Sequence, residues 1–390
     1  MMHHQPTNED ELVGLISDAA ARGARCELRG GGTKAAMGAP REAEIIDMRS
    51  FAGVVDYDPP ELVLTVRAGT PLREVQDLVA GEGQMLAFAP FDHAPLLGGQ
   101  SGHATIGGVV AAGVAGSQRL ASGSARDHLL GFTAVSGRGE RFVGGAKVVK
   151  NVTGYDLSKL MAGSWGRLAA MTELTLKVLP RPRVVRTMAV EGLEHERACR
   201  AMSCAMGSSA EIAAAAHLPT ECGRSALTVF RLQGFGPSVE ARCAALPDIL
   251  RHHGTVLPVP EGDAAELWSS IELATPLVDA SILWRVHLPP SGAPAVIDQF
   301  APLGARWLLD WAGGLIWLAY DGDPAEIRTA AANAGGHAML VRAPSAVRAA
   351  VPMQHPRAPG VAAVEWKVRR AFDPAGIFET GRFLDQNHAH

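Results

Sequence analysis

Apolar positions in the first half of the chain recur with two alternating periods. Leu12, Leu15, Ile16, Ala19 and Ala20 fall on one face of a helix. Asn8 stands at its N-cap with Glu11 three residues on, and Gly23 ends it. Short β-type runs follow at 25–28, 45–48 and 62–67, with a turn signal at Asp56, Asp58, Pro59 and Pro60 between the last two. Thr70 and Pro71 open a second helix, whose inward positions are Leu72, Val75, Leu78 and Val79 and which Gly81 ends. The runs 130–135 and 140–143 read as a hairpin around Gly137, Arg138 and Gly139. A short helix is expected over 154–160, and residues 171–178 alternate as a strand. Leu179, Pro180, Arg181, Pro182 and Arg183 form the clearest linker signal. Beyond it the chain is Ala-rich, with helices predicted at 194–206, 238–253 and 323–334 and strands at 226–232, 283–288, 307–311 and 314–320. The order of elements predicts an α+β protein, divided into 1–182, 183–350 and a closing segment 351–390.

Three glycine-bearing segments punctuate the first half. One is Gly30, Gly31, Gly32, Thr33 and Lys34, directly after a strand. The second runs from Gly98 and Gly99 through His103, Thr105, Ile106, Gly107, Gly108, Ala111 and Gly113 to Ser124, Arg126 and Asp127. The third is Lys150, Asn151, Val152, Thr153, Gly154, Tyr155, Asp156, Leu157, followed by Gly163, Ser164, Trp165 and Gly166. Glycine admits positive φ and close backbone approach, and a Thr-Ile-Gly-Gly turn presents N–H groups and a hydroxyl suited to an anion. A glycine-rich crossing of two backbones explains the second segment alone equally well; three such segments in one domain point to one elongated ligand. The glycines do not have the strand–turn–helix setting or the Gly-x-Gly-x-x-Gly spacing of a Rossmann unit.

At these residues the chain resembles the vanillyl-alcohol oxidase type of flavoprotein, over about residues 25–180 and again near 371–382. Within that group it is most similar to the FAD-binding E subunits of glycolate oxidases. The resemblance implies a two-subdomain PCMH-type FAD-binding domain followed by an α+β cap domain. It also implies a non-covalently bound FAD and a closing segment (Ala371, Phe372, Asp373, Pro374, Gly376, Phe378, Gly381, Arg382) that returns to the FAD domain. The cofactor-binding residues it implies are Arg29, Gly30, Gly31, Gly32, Thr33, Lys34, Pro90, His103, Thr105, Ile106, Gly107, Gly108, Ala111, Gly113, Ser124, Arg126, Asp127, Gly154 and Tyr155. Arg126 and Asp127 read equally as a plain salt bridge. Some relatives attach their flavin to a His just after the first glycine cluster. Thr33 and Lys34 stand there instead, which leaves His93 and His103 as the alternatives to a non-covalent flavin.

Composition narrows the function. A net charge of −4 with few basic clusters argues against a nucleic-acid or anionic-membrane surface. No apolar run reaches the length of a membrane span, and the first ten residues lack a basic n-region and an apolar h-region. The expected location is therefore cytoplasmic, with any inner-membrane association peripheral and through partners. The five cysteines are odd in number and contain no Cys-x-x-Cys, which argues against a disulfide framework, a zinc knuckle and an iron–sulfur cluster. Electrons reaching a flavin here would have to leave through another molecule.

Oxidation of a 2-hydroxy acid requires a cation for the carboxylate and a base for the hydroxyl proton. No His-rich metal motif is present in the second half, so no metal is expected. In a strand over 283–288, Arg285 and His287 would share a face, with Arg285 as carboxylate anchor and His287 as base. Two solvated polar residues on an edge strand are the plainer alternative. Two functional readings follow. One is the FAD-binding subunit of a glycolate oxidase or dehydrogenase type of complex, working beside a catalytic FAD subunit and an iron–sulfur subunit. The other is a stand-alone FAD-dependent dehydrogenase or oxidase of a D-lactate-like 2-hydroxy acid. All tryptophans but Trp165 lie beyond position 267, in a hydrophobic core or, for Trp307, Trp311 and Trp317, at a partner surface.

Overall fold

The computed structural model describes residues 2–145, 155–220 and 224–384. The chain divides into two units. Unit 1 comprises Met1–Ala115, Gly123–Pro180 and Pro356–His390, and unit 2 comprises Gly116–Ser122 and Arg181–His355. The segment 146–154, with Gly154, Lys150 and Asn151 of the third glycine-bearing stretch, lies outside the described residues, as does Cys222.

Among the described residues unit 1 has two main sheets and a two-stranded antiparallel pair, Gln84–Met85 with Leu179–Pro180. In the first, strand Glu44–Asp47 lies between His3–His4 and Cys26–Arg29, all parallel. Helix Glu9–Arg22 packs Leu12, Ile16 and Ala19 into this layer's core with Cys26, Ile46, Met48 and Phe51. Its N-cap forms as the spacing requires: Asn8 accepts from the Glu11 N–H at 3.0 Å, while the Glu11 carboxylate reaches back to the Thr7 N–H at 2.7 Å. The second sheet is antiparallel, in the order Val54–Asp58, Val63–Arg67, Ala169–Lys177, Leu129–Ser136, Arg141–Gly145. Its outermost strand Val54–Asp58 occupies part of the stretch expected as a turn. That strand is mostly exposed, so it lacks the alternation that marks a half-buried strand. The turn itself falls later, where Leu62 N–H bonds Pro59 O.

The central glycine-rich stretch holds a helix where a turn was expected. Ile106–Ala112 is helical, with Thr105 as N-cap accepting from the Gly108 N–H at 3.3 Å and Gly113 as a left-handed C-cap. Ile106, Val109 and Val110 follow helical spacing and are buried with Leu64, Val75, Phe88 and Leu174, and that burial outweighs the low helix propensity of two glycines.

Unit 2 carries an eight-stranded antiparallel sheet in the order Val256–Val259, Val184–Glu191, Leu227–Gly234, Ala214–Leu218, Arg306–Asp310, Leu315–Ala319, Leu283–His287, His337–Arg342. Alternate residues separate its faces. One face buries Phe230, Leu232, Trp284, Val286, Trp307, Ile316 and Leu318 against apolar residues of helices His195–Met206, Gly236–Ile249, Ala293–Phe300 and Pro324–Asn333. Strand Ala214–Leu218 contains three consecutive alanines, residues of high helix propensity that tertiary pairing holds extended.

Trp307, Trp311 and Trp317 are 8%, 4% and 2% exposed, so the partner-surface reading of these three does not stand. They are interior side chains. Trp366, on helix Pro359–Phe372, is the exposed one, with Arg370 over its ring. Trp284→Ala is therefore expected to cost about 3–5 kcal/mol through transfer and cavity terms, against about 0.5 kcal/mol or less for Trp366→Ala. Urea-unfolding midpoints of the two variants check this.

Candidate functional site

The cleft of unit 1 is assembled where the first two glycine segments meet. Strand Cys26–Arg29 delivers the chain to Gly30 and Gly31, which lie against the residues just before helix Ile106–Ala112. A Cβ on Gly30 would stand 2.2 Å from Thr105 Oγ1, and one on Gly31 would stand 1.4 Å from the His103 carbonyl oxygen. Gly31 admits no side chain without moving backbone, and a side chain at Gly30 would displace the Thr105 hydroxyl that caps the central helix. Gly107 is equally constrained from the other side, since its Cβ would lie 2.6 Å from the Ala68 oxygen; it already donates its N–H to that oxygen at 2.8 Å. The result is an open trough floored by backbone, lined by Arg29 to Ala35, Thr105, Gly107, Gly108, Ala111 and Ala112, and walled by Met48, Trp165, Gly166 and Met171.

The charge in this trough is unbalanced. Among the described residues Glu27 is its one carboxylate, and it is shared among Arg41 at 2.5 Å, Arg29 at 3.0 Å and Arg382 at 3.4 Å. Burial works to raise the pKa of Glu27, but the Arg41 hydrogen bond and the charges of Arg382, Arg41 and Arg29 hold it below the usual value. Lys34 adds another cation. Burial, aided by Arg382, pushes its pKa down to about 8 against the opposing pull of Asp92. Burial and the neighbouring Arg41 bring Arg382 down to about 10, and its Nε is buried without a hydrogen-bond partner. A floor of glycine backbone, an excess of buried positive charge and an orphaned guanidinium N–H fit the pyrophosphate of a dinucleotide.

The structure brings together Arg29, Gly30, Gly31, Gly32, Thr33, Lys34, Thr105, Gly107, Gly108 and Ala111. Other residues implied by the resemblance stand apart from the trough. Ile106 is core, Pro90 is buried with its carbonyl accepting from Gln76 Nε2 at 3.1 Å, and Gly113 is a helix cap. His103 points its side chain to solvent and contributes only its carbonyl. Ser124 and Asp127 form a local capping box. Arg126 is exposed and accepts on its carbonyl from Lys159 Nζ at 2.6 Å, so Asp127 is tied to Ser124. Tyr155 is 91% exposed, and Gly154 is outside the described residues. Glu27, Trp165 and Arg382 line the trough and carry no cofactor role in the sequence reading. For Arg382 the sequence signal was its place in the closing segment that the resemblance returns to the FAD domain.

Unit 2 gathers a second set of charged groups on the sheet face opposite its apolar core. Cross-strand register runs Asp310, Leu315, His287, His337 in one rung and Leu308, Trp317, Arg285, Met339 in the next. Arg285 and His287 therefore share a face, and neither is a solvated edge residue. The Arg285 guanidinium lies 4.9 Å from the Trp311 ring centre and 5.5 Å from that of Trp317, and Arg119 lies 4.7 Å from the same Trp311 ring. Burial and the charge of Arg119 lower the pKa of Arg285 to about 10 against the opposing pull of Asp310. His287 is held well below its ordinary value by burial and by the charge of Arg285, so its imidazole is neutral near pH 7. Its Nδ1 is 3.1 Å from His337 Nε2, and its Nε2 is buried without a partner.

Trp311 and Ala312 both take left-handed backbone, at φ +53° and +54°, a strained arrangement held by Asp310 capping the Trp311 N–H at 2.7 Å and by Trp311 Nε1 donating to Gly116 O at 3.0 Å. Ser117 bridges two carboxyls. Its Oγ donates to Asp310 at 2.8 Å and its N–H to Glu272 at 3.4 Å. Burial raises Asp310 to about 6 and Glu272 to about 7, with the charge of Asp310 adding to the second shift. Glu272 and Arg231 also border a cavity of about 640 Å³ between helix Glu261–Glu272 and strand Val184–Glu191. Among the described residues no group of three His, Cys, Asp or Glu side chains is arranged to hold a metal ion.

A family model described as "FAD binding domain" matches residues 3–144. The chain is 35% identical over 375 residues to "Glycolate oxidase subunit GlcE" of Escherichia coli (strain K12), spanning 95% of this chain and 96% of that protein. This chain belongs to the FAD-binding flavoproteins. It is an FAD-binding member of an oxidoreductase family, and the trough carries the charge and backbone that such a cofactor needs. "D-lactate dehydrogenase" of Archaeoglobus fulgidus is 30% identical over 187 residues, which is 48% of this chain and 40% of that relative. The fold is also that of a solved alkyldihydroxyacetonephosphate synthase, with a TM-score of 0.67 at 15% identity, covering 96% of this chain and 76% of that one.

With the cofactor's anion bound in this trough, Lys34 would make cofactor affinity depend on pH. An anion in the trough favours the charged amine, so binding raises a pKa that stands at about 8 without it. Affinity for FAD is then flat below pH 8 and declines as pH rises above it. Flavin-fluorescence titrations of the apoprotein from pH 6.5 to 9.5 should show that decline, and Lys34→Met should weaken binding at pH 7 and flatten the profile. A wild-type profile already flat to pH 9.5 contradicts this role for Lys34.

Proposed function

We propose that the chain is the FAD-binding subunit of a complex that oxidises a small 2-hydroxy acid of the glycolate type and passes the electrons to partner subunits. The observation that carries this reading is the similarity to a glycolate oxidase subunit along nearly the whole of both chains, whereas the D-lactate dehydrogenase similarity stops at about half of this one. The partners proposed are a catalytic FAD subunit and an iron–sulfur subunit, since the sequence holds no Cys-x-x-Cys from which a cluster could be built. No helix among the described residues is long and apolar enough to cross a membrane, and the proposed location is cytoplasmic, with any attachment to the inner membrane through those partners.

The trough residues proposed to hold FAD are Arg29, Gly30, Gly31, Gly32, Thr33, Lys34, Thr105, Gly107, Gly108 and Ala111. The cofactor is proposed to be non-covalent: the His93 ring is buried and stacked on Phe91 at 4.5 Å, and the His103 side chain faces solvent. When bound, FAD supplies the two-electron acceptor. For the reading in which this chain itself turns over the acid, its part in substrate chemistry is assigned to unit 2. Arg285 is to anchor the carboxylate, with Arg119 adding to the positive field over Trp311. Neutral His287 is to accept the hydroxyl proton at Nε2, while its Nδ1 contact with His337 fixes the ring.

Acid precipitation of the purified protein should release free FAD, and yellow colour retained by the pellet would contradict non-covalent binding. In the complex, assayed with glycolate and an artificial acceptor, Arg285→Met is expected to raise KM at least about tenfold, the loss of a charge-assisted hydrogen bond. His287→Gln is expected to lower kcat about 100-fold or more, the scale of a lost general base. Because His287 stays neutral below its ordinary pKa, wild-type activity should persist on the acid side of pH 6.5. Folded, FAD-loaded variants with unchanged KM and kcat would place the oxidation in a partner subunit and leave this chain an electron-carrying role.

A further inference from the structure

The carboxy-terminal segment enters the trough through a single side chain. We propose that Arg382 is an anion-binding residue of the FAD site, and that the tail carrying it is a strap which the cofactor's pyrophosphate fastens in place. The inference rests on the reading of the trough as the FAD site.

After helix Pro359–Phe372 the chain is turned by Asp373, whose buried carboxylate accepts the N–H groups of Gly376, Ile377 and Phe378 at 2.9, 3.1 and 2.8 Å. Ile377 and Phe378 then sink into the core of Leu12, Ile16, Cys26 and Phe51, and the Ile377 carbonyl accepts from the Cys26 N–H at 2.7 Å. Glu379 takes Arg167 at 2.7 Å and Arg369 at 2.8 Å. Past that point Phe383 is buried, its ring 6.0 Å from that of Trp165 and 4.6 Å from the Arg167 guanidinium, and residue 382 ties the strap to the trough. The Arg382 carbonyl accepts from the Ala39 N–H at 2.8 Å. Gly38, at φ +77°, makes room for this, since a Cβ there would stand 2.5 Å from the Arg382 oxygen and 2.6 Å from its Cγ. The backbone of the tail is thus pinned to the end of the loop that begins at Gly30.

The side chain is less well satisfied than its position suggests. Its guanidinium sits 5.5 Å from the Trp165 ring centre, and Nη2 reaches the Lys34 carbonyl at 3.3 Å and Glu27 at 3.4 Å, both long for a charged donor. Glu27 is already engaged more closely by Arg41 and Arg29. The buried Nε has no acceptor at all. A buried arginine that is the third claimant on one carboxylate carries an uncompensated cost, and a planar, bidentate donor of this kind matches the oxygens of a phosphate. Lys34, whose carbonyl Arg382 touches, also lines the trough. Pyrophosphate therefore has two cations from different ends of the chain to bridge, and its arrival would hold the last residues of the strap down.

The test uses the whole protein. Trypsin cleavage after Arg382 is followed by intact-mass spectrometry in the apoprotein, with saturating FAD, with ADP and with adenosine. FAD and ADP should slow this cut at least tenfold and adenosine should not, because adenosine lacks the pyrophosphate. Arg382→Gln should bind FAD at least tenfold more weakly than wild type, with Arg382→Lys between them and Arg370→Gln, outside the trough, unchanged. Wild-type protein that binds FAD yet is cut after Arg382 at the same rate overturns the strap, as does Arg382→Gln with wild-type affinity. Wild-type protein that takes up no FAD removes the underlying reading of the trough instead. The protection assay needs no substitution, so it decides the matter even where a variant fails to fold.

Discussion

The contact of Gly30 and Gly31 with the segment 103–105 is the constraint on which unit 1 depends. Two stretches of backbone more than seventy positions apart touch where no side chain fits, the tightest point being Gly31 against the His103 carbonyl. That closeness leaves a trough whose floor is backbone. The neighbouring packing serves the same end: Gly107 seats its helix on Ala68, and Ile106, Val109 and Val110 tie that helix to the core. Loop and helix are rigid because the apolar residues beside the glycines are buried.

The second theme is charge held away from water. In unit 1, Lys34 is buried and Arg382 is buried beside a carboxylate that two other arginines already occupy, and their lowered pKa values record the cost of that burial. In unit 2, Asp310 and Glu272 are raised towards neutrality while Arg285 and His287 are lowered, in a cluster on the sheet face opposite the apolar core. Such opposed shifts are common where a protein binds or moves charge. The strained backbone of Trp311 and Ala312 falls in the same cluster.

Much of this was legible in the chain. The Asn8 cap, the helices Glu9–Arg22 and Pro324–Asn333 and the hairpin about Gly137 follow from local chemistry. The glycine clusters announced a close backbone approach. Other features were hidden because they are set by tertiary contact. Strand Ala214–Leu218 has a helical composition, and the central helix has glycines in its first turn. The interior position of Trp307, Trp311 and Trp317 depends on which sheet face each occupies. Sequence spacing placed Arg285 and His287 on one face but gave no hint of Asp310, Ser117 and Arg119 beside them. Arg382 reaches the trough because Asp373 turns the tail and Gly38 admits it, 348 positions along the chain from the Lys34 carbonyl it contacts.

The central claim is that FAD lies in the trough of unit 1. Hydrogen exchange measured by mass spectrometry on the apoprotein and the FAD-loaded protein tests it directly. Slowed exchange should concentrate in peptides covering 28–36, 104–112 and 165–171, with the remainder of unit 1's sheets little changed. Protection absent from all three peptides, with full FAD occupancy, would contradict the account.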